Sequence, residues 1–207
     1  MRNRKLITLM TLAMAIVLGS GIALADDLYV GGSYNWVPLT TGTYGGGSIN
    51  TSYLNGVAQP WVYCVDLYID ITVPGDYNNT TVTNNGMVHG AMVTNAGQVA
   101  WLLDQYANSN IGNTTGQIAL QAAIWHEIFG VDLSSTSSSY ADYTYYLSKL
   151  GSNTASVATI NWFSPGINGD NTTYQGLVGH VPDGGMTLML LGGTLVCAGT
   201  LRRKFRV

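Results

Sequence analysis

Cysteine is the residue this chain has least of where it would be expected in pairs. Two occur in 207 residues, Cys64 and Cys197, and the second lies in an apolar run near the C-terminus, so the central region can form no internal disulfide. Exported domains ordinarily use cysteines in pairs. A lone one in an oxidising compartment is shielded as a small buried hydrophobe, dimerised, or already covalently engaged. Basic residues are scarce too. Between residues 26 and 181 ten carboxylates (Asp26, Asp27, Asp66, Asp70, Asp76, Asp104, Glu127, Asp132, Asp142, Asp170) stand against Lys149 alone, a balance of −9. The whole-chain figure of −3 conceals this, because the other seven lysines and arginines lie in the two ends. That balance argues against nucleic acid as a partner. No internal repeat is present.

Both ends read as addresses rather than fold. Met1 to Ala25 has a basic head (Arg2, Arg4, Lys5), an apolar run from Leu6 to Leu18, and Ala23-Leu24-Ala25 before Asp26, the pattern of a secretory signal peptide. At the other end Met186 to Leu201 is an apolar run of 16 residues followed by Arg202, Arg203, Lys204 and Arg206. It is shorter than the ~20 residues a comfortable membrane helix needs, and its positive flank belongs on the cytoplasmic side. Preceded by Val181, Pro182, Asp183, Gly184 and Gly185, this tail resembles the PEP-CTERM class of sorting signals in its VPDGG-like variant. Pro182-Asp183-Gly184 stands where that class has Pro-Glu-Pro. The resemblance implies processing by an exosortase-type enzyme, an intermediate held in the membrane through the C-terminal segment, and display on the cell surface or in the matrix of a Gram-negative bacterium.

Residues 26–180 remain, enough for one domain with its own core. From Leu28 to about Val93 the Gly, Thr, Asn, Tyr and Val content, broken by Gly45-Gly46-Gly47, Pro74-Gly75-Asp76 and Asn84-Asn85-Gly86, predicts several short strands. Over Trp61 to Asp70 the odd positions are all apolar, which predicts a strand with Cys64 on the opposite, mixed face. Helical spacing follows over Asn95–Asn108, Gln117–Phe129 and Tyr140–Leu150, and strand patterns return at Val157–Phe163 and Tyr174–Val178. The expected fold is α+β: a mainly antiparallel sandwich or barrel with a three-helix insert packed on it.

The middle helix is apolar on nearly every side, so it should be buried all round. Thr114-Thr115-Gly116-Gln117 fits a capping box, which accounts for Gln117, and Gly130 fits a left-handed cap. Gln121 is left over. Its carboxamide in a core must be hydrogen-bonded, at a cost of ~1–3 kcal/mol if it is not, or chemically changed.

Tyr63-Cys64-Val65-Asp66 and Leu120-Gln121-Ala122-Ala123-Ile124-Trp125 together resemble the paired signature of bacterial surface thioester domains: aromatic-Cys-apolar on an early strand, apolar-Gln-apolar-Trp on a later helix. The resemblance spans about Leu28 to His180. It implies that the Cys64 sulfur is joined to the Gln121 side-chain carbonyl with loss of ammonia, and that the domain is a single-turnover covalent binder, an adhesin or matrix-attachment protein that acylates amines on a partner. The chemistry calls for no cofactor and no metal. A thioester lacks the amide resonance of a peptide bond, so its carbonyl is open to amines yet survives in a dry pocket.

Supporting roles are expected of several neighbours. Trp125 lies one turn beyond Gln121 and could exclude water, although an ordinary core tryptophan fits equally well. Tyr63 belongs to the motif itself. Asp66, on the Cys64 face, could accept a proton, and so could His126, which lies about 100° round the helix from Trp125. The scarcity of lysine suits a chain that must not acylate its own copies, and equally an acidic, polar surface suited to export. Two other readings compete: a cysteine hydrolase with Cys64 as nucleophile and His89, His126 or His180 as base, and a non-covalent β-rich module with an inert cysteine and a merely hydrogen-bonded Gln121. An isopeptide bond from Lys149 to an asparagine is a variant of the latter.

Overall fold

The computed structural model describes residues 25–181. The expected signal peptide, apart from Ala25, and the expected sorting signal, apart from Val181, lie outside the described residues. Among these residues no helix is long and apolar enough to cross a membrane. In chain order the elements are strands β1 (Asp26–Val30), β2 (Asn35–Leu39), β3 (Gly42–Gly46), β4 (Ser52–Leu54), β5 (Val57–Gln59), β6 (Val62–Cys64), β7 (Gly75–Thr83), β8 (Met87–Val88) and β9 (Ala91–Met92). Helices α1 (Ala96–Tyr106), α2 (Thr114–Phe129) and α3 (Tyr140–Leu150) follow, then β10 (Ile160–Ser164) and β11 (Leu177–His180).

Seven strands form one antiparallel sheet in the order β5-β4-β1-β7-β10-β11-β6. Its two outer strands, β5 and β6, are separated in sequence only by Pro60 and Trp61. That short link draws the two edges together and makes the sheet a nearly closed barrel. Alternation drives the inner face: in β1, Leu28 and Val30 are buried while Tyr29 is partly exposed. The β2–β3 hairpin forms its own two-stranded sheet and lies over α2, tied by a Leu39–Leu133 bridge and by the Ser134 N–H donating to the Pro38 carbonyl at 2.8 Å. The β8–β9 hairpin turns through His89 and Gly90, both at positive φ (51° and 76°), the geometry of a two-residue primed turn.

The expected α+β architecture is thus the observed one, with three helices packed on the barrel. α2 is buried all round: every residue from Ala119 to Trp125 has no exposed surface. Gly130 ends it at φ 69°, its N–H donating to the His126 carbonyl.

Four local expectations need correction. The capping box is absent: the N-cap is Asn113, whose side chain accepts from Gly116 N–H at 3.3 Å, and Gln117 turns into the core instead. There Gln117 donates to the Asn110 carbonyl and accepts from Asn35 Nδ2, both at 3.0 Å, joining the β2–β3 hairpin to the turn before α2. The strand expected over Trp61–Asp70 is only Val62–Cys64, because the Asp66 carboxylate takes the Gly176 N–H at 2.6 Å and the ladder with β11 stops. For the same reason Gln175 and Gly176 are drawn out of the expected Tyr174–Val178 strand, which begins at Leu177. Val157–Thr159 is a short 3₁₀ turn capped by Ser156, and the strand starts only at Ile160.

Candidate functional site

β6 is the last strand of the sheet, and its pairing with β11 uses the backbone of Tyr63 and Val65. By the two-residue period of a strand, Val62 and Cys64 turn their N–H and C=O groups the other way, to an edge without a strand. Buried edge groups must find partners. Val62 offers its carbonyl to the Ile49 N–H at 2.8 Å. At Cys64 the partner is Gln121: the Cys64 N–H donates to Oε1 at 2.9 Å, and Nε2 donates to the Cys64 carbonyl at 2.8 Å. The carboxamide therefore acts as one more strand residue, satisfied on both sides. Its carbonyl carbon lies between two atoms fixed against the main chain of the cysteine.

Cys64 is 1% exposed and Gln121 wholly buried. Burial pushes the thiol well above its ordinary pKa, and the neighbouring Asp66 charge adds to that, so free Cys64 is a neutral thiol. β3 closes the site from above. A Cβ on Gly46 would come within 2.8 Å of Trp125 Cη2, 2.9 Å of Gln121 Cγ and 3.3 Å of Gln121 Cδ. Only a bare backbone fits there. Trp125 packs its indole against this glycine and edge-on to Tyr44, while its Nε1 donates to the Asp66 carbonyl at 3.2 Å.

A cavity of about 340 Å³ adjoins Gly46 and Cys64. Its wall includes the buried Cys64, Gly46, Leu67 and Gln175 and the exposed Tyr34, Trp36 and Asp70. Gln121 does not line it. Cys64 and Gly46, which both touch the carboxamide, are the points at which the cavity meets the site.

The other expected residues fall in different places. Asp66 is close in sequence but engaged elsewhere: its carbonyl accepts from Trp125 and from Gln175 Nε2, and its carboxylate takes Gly176 N–H with His89 Nε2 at 3.7 Å. Tyr63 points to the opposite face from Cys64; burial raises its pKa, and its hydroxyl has no hydrogen-bond partner among the described residues. His126 is not brought to Cys64. Its Nδ1 lies 3.0 Å from Asp132 and 3.1 Å from the Tyr143 hydroxyl, which itself donates to Asp132 at 2.7 Å, so the imidazole joins α2 to α3. His180 meets the edge of Trp61.

Sequence reasoning passed over Gly46, Tyr44, Trp36, Tyr34 and Asp70. Gly45-Gly46-Gly47 read as a turn cluster, and its one usable signal was three consecutive residues without side chains next to a run of aromatics. No family model, no curated protein and no solved structure matches this chain.

Proposed function

We propose that this protein is a surface-displayed covalent adhesin or matrix-attachment protein, in which Cys64 and Gln121 form an internal thioester that acylates an amine on a partner. The observation that carries the reading is the reciprocal pair of hydrogen bonds holding the Gln121 carboxamide against Cys64 in a fully buried site. Proximity of that kind supplies the effective molarity that bond formation needs. Sγ attacks Cδ, the Cδ–Nε2 bond breaks, and the thiol proton leaves with the nitrogen as ammonia. Oε1 keeps its donor throughout, because the Cys64 N–H that meets it at 2.9 Å also stabilises the negative charge of the tetrahedral intermediate.

An incoming amine reverses the geometry. Its nitrogen takes the place left by Nε2, where the Cys64 carbonyl accepts one of its protons. It bonds to Cδ, the C–S bond breaks, and the proton lost by the amine ends on sulfur. The product is an amide to Gln121 and a free Cys64 thiol, so each molecule reacts once. Trp125, Tyr44 and Gly46 keep the bond dry until then.

A second reading rests on the same observation. The same two hydrogen bonds satisfy Gln121 with no covalent change, as in a non-covalent module whose cysteine is inert. Nothing comparable favours a hydrolase, since His89 faces Asp66, His126 faces Asp132 and Tyr143, and His180 faces Trp61. Intact mass separates the first two. The thioester predicts a deficit of one ammonia and no Cys64 thiol titratable after unfolding; methylamine adds to the mass and liberates Cys64, and Gln121→Ala removes both effects. Full mass with a titratable Cys64 thiol in protein never exposed to amines sinks the covalent reading.

A further inference from the structure

We propose that Asp70, with Trp36 and Tyr34, makes the cavity beside Cys64 selective for a primary amine that carries a second positive charge, a short aliphatic diamine or polyamine. The proposal rests on the thioester reading and names the amine it takes. The nitrogen that attacks Cδ must arrive with a free lone pair, hence uncharged. A carboxylate at the cavity therefore gives that nitrogen no advantage; it favours a charge carried elsewhere on the same molecule.

The cavity is built for such a distribution. At its Cys64 and Gly46 wall it is neutral and touches the reacting carboxamide through those two residues. Its lining also includes the apolar Leu67, Ile71 and Val73, which suit a methylene chain. The exposed Asp70 also lines the cavity; its carboxylate makes no hydrogen bond or ion pair among the described residues, and no lysine, arginine or histidine lines the cavity to neutralise it. Trp36 is 61% exposed and Tyr34 40%, their rings edge to face with centroids 5.3 Å apart. Two rings so exposed, lining the same cavity as a free carboxylate, make a binding surface for an ammonium group, which the ring faces attract electrostatically. One end of a diamine is then held by Asp70 and the aromatic pair while the other, uncharged, reaches the thioester. Its lone pair forms the C–N bond, the C–S electrons return to sulfur, and the proton lost by nitrogen passes to the thiolate.

The test compares cadaverine with pentylamine, which has the same chain length and one charge fewer, on the mature protein at one fixed mildly alkaline pH, following adduct mass against time. Cadaverine should react about five- to tenfold faster, beyond the factor of two that its equivalent ends give. Asp70→Asn should bring the ratio down to about two, and Trp36→Ala should reduce it partway; both side chains are exposed, so the fold is kept. A ratio of two in the unaltered protein, or a larger one that survives Asp70→Asn, overturns this proposal and leaves the thioester standing. Full mass before treatment and no adduct with either amine overturns both.

Discussion

Two glutamines one helical turn apart, Gln117 and Gln121, are both buried, and their surroundings rather than their type decide what each does. Gln117 bonds to Asn110 and Asn35, a bridge between segments; Gln121 bonds twice to one residue, and that residue is the only cysteine among those described. The difference is that Cys64 lies on a sheet edge that no strand covers. Gly46 sets how tightly the carboxamide is held there. Gly46→Ala would press a methyl group onto Gln121 and Trp125 and cost about 1–3 kcal/mol of stability through overpacking. Under the thioester reading the variant should also be recovered largely at full mass, with the ammonia retained. An unchanged denaturation midpoint together with an undiminished mass deficit would show that β3 does not press on the site.

At the scale of elements, α2 is the hub. Its burial on all sides comes from the barrel edge, the β2–β3 hairpin, α1 and α3. The His126–Asp132–Tyr143 cluster belongs to that packing, and it joins α2 to α3 far from any role at Cys64. Tyr143→Phe removes a hydroxyl that donates to a carboxylate at 2.7 Å and should lower stability by about 1–2 kcal/mol. Amine reactivity per folded molecule should stay the same. If urea melts show that loss and methylamine kinetics are unaltered, His126 is structural; a slowed reaction at unchanged stability would return it to the chemistry.

At the scale of the whole molecule, the state of one sulfur bears on stability. A free Cys64 thiol is held above its ordinary pKa of 9.0 by burial and by Asp66, whereas in the unfolded chain it ionises near that value. The folded state then binds the proton more tightly. Its contribution is fully present below pH 9.0 and is lost as pH rises toward the elevated folded pKa. A thioester sulfur has no proton to lose. Methylamine-treated protein should therefore lose stability more steeply on the alkaline side than untreated protein, read as denaturation midpoints across that range. The raised tyrosines Tyr63, Tyr77, Tyr106, Tyr143, Tyr146 and Tyr174 act on both forms and cancel in the difference. Parallel curves would count against a thioester in the untreated form.

Much of this architecture was legible in the chain. The three helices fall where apolar spacing put them, α3 to the residue, and the all-round burial of α2 follows from a run with no polar face. Less local features were not. The Trp61–Asp70 alternation promised a long strand, but Asp66 finds Gly176, remote in sequence, and the strand stops at Cys64. Thr114 looked like a cap, yet Asn113 was one residue nearer the helix start. By itself the sequence determined a lone cysteine on an early strand and an unexplained glutamine on a buried helix, because composition and periodicity are properties of a chain read in order. Only the tertiary structure decided that the two meet, since an open strand edge acquires its partner from whichever element the closed barrel brings against it.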